Sequence, residues 1–175
     1  MTTTSNERLF TPEAETAAEL IDRFDQTRKF TETLCETLIP EDYVVQSMPD
    51  VSPTKWHLGH TTWFFEAFIL RNKLPGYISP DSRYNYLFNS YYNAIGDPWY
   101  RPNRGLLSRP GVDEIYDFRK FADEKMHDLF DRMDRDADPE RLRELTILGV
   151  NHEQQHQELL LTDIKNVFSL NPMNP

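Results

Sequence analysis

The chain has 175 residues, 38% hydrophobic and 27% charged, which suits one domain with a real core. Its formal net charge of −10 excludes nucleic acid and anionic lipid as the main partner, because both require a basic patch. No apolar run reaches membrane-spanning length, the start MTTTSNERLF lacks a signal-peptide pattern, and the single Cys35 excludes an internal disulfide or a cysteine cluster. The expected setting is the reducing cytoplasm.

Residues 1–10 are expected to form a flexible terminus. The first predicted helix covers residues 11–38, with Thr11 as N-cap, Pro12 at the first helical position, and Leu20, Ile21, Phe24, Phe30 and Leu34 at helical spacing. The proline-rich stretch IPEDYVVQSMPDVSP breaks that pattern. Ser52-Pro53 opens a second helix to about Asn72, with Trp56, His60, Trp63, Phe64 and Ala67 on one stripe. Residues 74–111 read as a long connection around the aromatic run RYNYLFNSYYNAIG, and connections of this length are often functional. A third helix is predicted over 112–134, with Ile115, Phe118, Ala122, Met126 and Leu129 inside. Asp138-Pro139 starts a fourth, running to about residue 168 and leaving residues 169–175 as a tail. No segment alternates with strand period. The expected fold is all-α, a four-helix bundle with long crossover connections.

The stretch NHEQQHQE carries His152 and His156 four residues apart, hence on one helical face. Leu145, Leu148, Gly149 and Leu159 share that face, so the pair is expected to point into the bundle. Buried imidazoles need partners, and a metal is one such partner. His60, flanked on its stripe by Trp56, Trp63 and Phe64, faces inward from the second helix. Three inward histidines from two helices are a way in which bundles assemble metal sites. Imidazole suits iron, zinc, copper and nickel, and three protein ligands leave positions open, as in catalytic centres. His57 lies off the stripe centre and is expected to support the ligands from behind or to face water. His127, among charges in DEKMHDLF, is expected at the surface.

HEQQH also satisfies the zinc-protease pattern H-E-x-x-H, with Glu153 as general base. The extended form fails, because Leu159 and Thr162 occupy its next key positions. The metal-site reading therefore takes precedence over the protease reading.

The stretches SPTKWHLGHTTWFFE and NHEQQHQELLLTDIKN, with PEDYVVQSMPDVSPTKW and RPNRGLLSRP between and around them, resemble the N-terminal DinB-like domain of the ergothioneine-biosynthesis sulfoxide synthases, or hercynine oxygenases. The resemblance extends from about residue 15 over nearly the whole chain. It implies a non-haem Fe(II) held by His60, His152 and His156, with Zn or Ni as metals that the same set accepts. It implies a reaction in which O₂ joins a thiol, cysteine or γ-glutamylcysteine, to the imidazole C2 of hercynine as a sulfoxide. Gln155 would help to hold hercynine, and Arg101 or Arg104 would bind the carboxylate of the thiol substrate.

Members of that family carry a second, C-terminal domain of the sulfatase-modifying type, which supplies the catalytic tyrosine. The chain ends at SLNPMNP, about where that domain would begin. No catalytic residue is therefore assigned within this chain, little or no synthase activity is expected from it alone, and a homodimer through the exposed domain face is a further expectation. Two other readings stand beside this one. The first is a stand-alone DinB-like thiol transferase using Zn or Ni. The second is a non-catalytic helical metal-binding or interaction domain.

Overall fold

Thr16 and Glu19 cap each other. The Thr16 hydroxyl accepts the Glu19 N–H at 3.3 Å, and the Glu19 carboxylate accepts the Thr16 N–H at 2.8 Å. This box starts α1 (Ala17–Thr33). The structure, a computed structural model, describes residues 15–90 and 96–175, so the expected cap Thr11-Pro12 lies outside the described residues. α1 also stops short of residue 38. Cys35 N–H bonds Glu32 O at 2.9 Å and Leu38 N–H bonds Cys35 O at 3.0 Å, a tightening into three-residue turns that ends the helix.

α2 (Thr54–Phe65) continues through a π-helical turn, Glu66–Leu70, into the short α3 (Arg71–Lys73). The fully buried Glu66 carboxylate accepts from Arg71, Tyr77 and Ser79, which satisfies the charge at that irregular turn. The long connection contains α4 (Tyr84–Phe88) and a 3₁₀ stretch, Arg101–Leu106. α5 (Val112–Phe130) buries Ile115, Phe118, Ala122, Met126 and Leu129, as the spacing predicts, but ends before residue 134. Asp138 accepts the Arg141 N–H at 3.1 Å and caps α6 (Pro139–Ser169).

α1, α2, α5 and α6 make the bundle, and no strand occurs among the described residues. α2 is its centre, packed against α5, α6 and α4. Every residue of α2 is buried, so its apolar stripe is a full sleeve. Two glycines permit the close approach. A Cβ at Gly59 would lie 2.5 Å from the Phe88 ring of α4, and one at Gly149 of α6 would lie 2.5 Å from the Phe65 ring of α2.

A buried ion network sets the rotation of the outer helices. Glu153 of α6, 0% exposed, accepts from Arg28 at 2.8 Å, Arg119 at 3.0 Å and Thr31 at 2.7 Å. Arg28 also donates to Asp123 at 2.7 Å and to Thr62 at 3.0 Å. The network draws Arg28 and Thr31 inward and turns Phe30 out to 51% exposure, against the expectation that Phe30 lies in the core. On α6 the inward face is Leu142, Thr146, Gly149, Glu153, Gln157 and Leu160. Leu148 and Leu159, expected inside with the histidine pair, are 54% and 48% exposed. No described helix is long and apolar enough to cross a membrane.

Candidate metal centre

With Glu153 anchored in the interior, His152 and His156 stand roughly 60–100° away around α6 and face a cleft rather than the core. The cleft, about 410 Å³, is also lined by His57 and His60 of α2 and by Arg101 and Arg104 of the connection. His60, His152 and His156 each offer a ring nitrogen, all within 4.8 Å of one another. The same rotation overturns the protease alternative. The Glu153 carboxylate is fully buried in the ion network with Arg28 and Arg119, does not line the cleft, and so cannot act as a base there.

Each imidazole has a packed position. The Trp56 ring stacks on His60 with centroids 4.5 Å apart, and Trp63 flanks the same ring at 5.5 Å. Phe64 stacks on His152 at 4.4 Å. The Phe88 carbonyl oxygen lies 2.6 Å from His60 Nδ1. A carbonyl can only accept, so Nδ1 carries the proton and Nε2 presents its lone pair to the cleft. His60 Nε2 and His152 Nε2 are 3.2 Å apart, and His152 Nδ1 is buried with no hydrogen-bond partner among the described residues.

Burial, the largest influence on all three rings, disfavours the imidazolium form. It pushes His152 down to about 4. His60 is held well below the ordinary histidine value by burial and by the adjacent His152. His156 is lowered by burial, then by His60, His57 and His152. The centre is thus a set of neutral imidazoles, which is the form that a transition metal binds. The donor set fits such an ion and does not suit magnesium or calcium, which prefer oxygen.

His57, neither solvated nor within the three-histidine group, is buried beside it. Its Nδ1 lies 3.0 Å from His156 Nδ1 and its Nε2 lies 3.0 Å from Asp163 Oδ2. Asp163 was not picked out from the sequence. The missed signal is its spacing of seven from His156, two helical turns on one face. His127 is at the surface, bonded to Asp25 at 2.8 Å.

The arginines sit beside the histidines. Arg104, 4% exposed, lays its guanidinium 3.3 Å over the Trp56 ring and donates to Ser52 at 2.9 Å and Ser90 at 3.2 Å. Arg101 donates to the Asp50 carbonyl. Gln155 lines the cleft from the exposed side of α6. Ser52, Ser90 and Trp56 were not picked out as site residues, because a loop serine and a core tryptophan carry no local signature of a cleft.

The family model described as the DinB superfamily matches residues 23–160, which span the two helices that carry the histidines. No curated protein matches the chain. A helical bundle with three histidines able to hold a metal ion, matched over most of its length, belongs to the DinB superfamily.

Proposed function

We propose that this chain is the iron-binding domain of a non-haem, O₂-dependent sulfoxide synthase that joins a thiol to hercynine. The observation that carries the reading is the cleft itself. Three neutral imidazoles converge at one end, and Arg104 and Arg101 flank them within the same 410 Å³ space. The two long stretches that resemble the hercynine oxygenases supply the histidines and Gln155.

His60, His152 and His156 would hold Fe(II) and leave its remaining positions for substrates. The bound iron would supply O₂ activation. The protein's own groups bind and orient. The Arg104 guanidinium, stacked on Trp56, presents a fixed fork to a carboxylate of the thiol substrate. Arg101 stands beside it, and Gln155 offers an amide to the hercynine imidazole. In the net reaction the thiol S–H and the hercynine C2–H are lost and a C–S bond and an S–O bond form. O₂ accepts four electrons, one oxygen atom going to sulfur and the other leaving as water. A separate domain of the sulfatase-modifying type would supply the catalytic tyrosine and close the cleft.

The test is an anaerobic Fe(II) titration with metal counted by mass spectrometry, for the wild-type chain and for His60→Ala. One iron per wild-type chain and none in the variant are expected. Hercynine and cysteine should then each perturb the electron paramagnetic resonance spectrum of the nitric oxide adduct of the iron-loaded chain. Stoichiometric zinc or nickel with no hercynine response would instead favour a DinB-like thiol transferase. No stoichiometric metal would end both enzyme readings.

A further inference from the structure

We propose that His57 is a positioning residue that fixes the tautomer of His156, so that His156 binds metal through Nε2. This inference rests on the reading of His60, His152 and His156 as a metal centre. The hydrogen-bond chain runs from the Ser52 backbone through Asp163 and His57 to His156, with steps of 2.8, 3.0 and 3.0 Å. Its direction follows from donor arithmetic. Asp163 Oδ2 already accepts the Ser52 N–H, so it is an acceptor. His57 Nε2 must then donate to it. A neutral imidazole has one proton, so His57 Nδ1 is left as an acceptor facing His156 Nδ1. His156 Nδ1 must donate, and its own single proton is thereby committed. Nε2 is left with a lone pair toward the cleft.

The reversed chain fails on the same grounds. If His57 Nδ1 donated to His156, its Nε2 lone pair would face the Asp163 oxygen at 3.0 Å, leaving two acceptors opposed in a part-buried contact. A doubly protonated His57, paired with Asp163, would instead donate both ways and leave His156 in the Nε2–H form, the outcome that overturns the assignment. Without His57, no hydrogen bond among the described residues holds the His156 proton on Nδ1. A neutral histidine side chain in water favours the Nε2–H form, which would put the proton on the nitrogen that must meet the metal. His60 is fixed in the same sense by a different device, the Phe88 carbonyl.

The variants His57→Leu and His57→Gln test the assignment. Glutamine retains an acceptor for His156 and a donor for Asp163; leucine retains neither. Long-range ¹H–¹⁵N correlation spectra of the metal-free protein read the His156 tautomer directly. Competition with a chelator reads Zn(II) affinity. The expected result is the Nδ1–H tautomer in wild type and His57→Gln, and its loss in His57→Leu. Zn(II) affinity should fall roughly 10–100-fold in His57→Leu at unchanged one-to-one stoichiometry, and stay within about threefold in His57→Gln. The inference is overturned by an Nε2–H tautomer in wild type or by wild-type affinity in His57→Leu. Complete loss of stoichiometric Zn(II) in a folded His57→Gln variant also overturns it, since His57 would then be a direct ligand. If the wild-type chain takes up no metal, the metal reading fails first. If it takes up metal and the tautomer is wrong, only the role of His57 fails. The wild-type tautomer measurement does not depend on any variant folding.

Discussion

Replacing Glu153 by glutamine separates the two meanings of HEQQH. The Glu153 carboxylate has no solvent exposure and holds Arg28 at 2.8 Å, Arg119 at 3.0 Å and Thr31 at 2.7 Å. Removing one partner of such a buried network costs roughly 3–5 kcal/mol, because the charges left behind remain desolvated. A second route gives a similar figure. Burial alone would raise this carboxyl, but Arg28 and Arg119 outweigh it and bring it from 4.5 down to about 2. That difference corresponds to about 3 kcal/mol of folding free energy at neutral pH. Glu153→Gln is nearly isosteric, so the loss is expected near the lower figure. The assay is urea unfolding of the metal-free protein. With a slope of roughly 2 kcal/mol per molar urea, the midpoint should fall by about 1.5 M.

The pH dependence has a definite sign. The folded-state value lies below the unfolded one, so the stabilisation is complete above about 4.5 and is lost as pH falls toward 2. The gap between wild type and variant should close over that window. A midpoint change under about 0.5 M at neutral pH, or a gap that does not narrow in acid, would refute the reasoning. A glutamate poised in the cleft as a protease base would show the opposite pattern: little effect on stability, and a changed site.

Three further outcomes follow from the packing and the cleft. Gly149→Ala places a methyl 2.5 Å from the Phe65 ring; overpacking of this kind costs roughly 1–3 kcal/mol and should outweigh the gain in helix propensity, so the melting temperature should fall, and a rise would contradict the packing. Arg104→Ala should leave metal stoichiometry unchanged but weaken cysteine binding by roughly tenfold or more, read from the thiolate charge-transfer band of the Co(II)-loaded protein; unchanged binding would remove Arg104 from the proposed substrate site. Cys35 is buried and its thiol is pushed up to about 11, chiefly by desolvation, so it should resist alkylation in the native protein at pH 8 and react once urea unfolds it; rapid native-state labelling would contradict its place in the core.

Several features were legible in the chain because they depend on local geometry. The apolar spacing of α5, the Asp138-Pro139 start of α6, and the absence of strand alternation all follow from neighbours within a few residues. So does the shared face of His152 and His156, since a spacing of four is a property of any helix. Much of the candidate site was legible for that reason, though not its surroundings.

Which face turns inward was a tertiary decision. Leucines at 148 and 159 suggested that the histidine pair pointed into the core, but α6 is rotated by the bond of Glu153 to Arg28, residues 125 apart in sequence. No local periodicity reports a pair so distant, and a buried guanidinium reads in sequence as a surface residue. The turn of α6 that carries the leucines into solvent also brings the histidines to a cleft, where substrate can reach them. The contacts between His57, Asp163 and His156, and the stacking of Arg104 on Trp56, join separate elements and exist only once these have packed. Sequence by itself determined an all-α chain and the residue types that can hold a metal. Tertiary structure alone decided that they converge, because hydrogen bonds and ion pairs between distant segments set the rotation of each helix, and the order of residues along one helix does not.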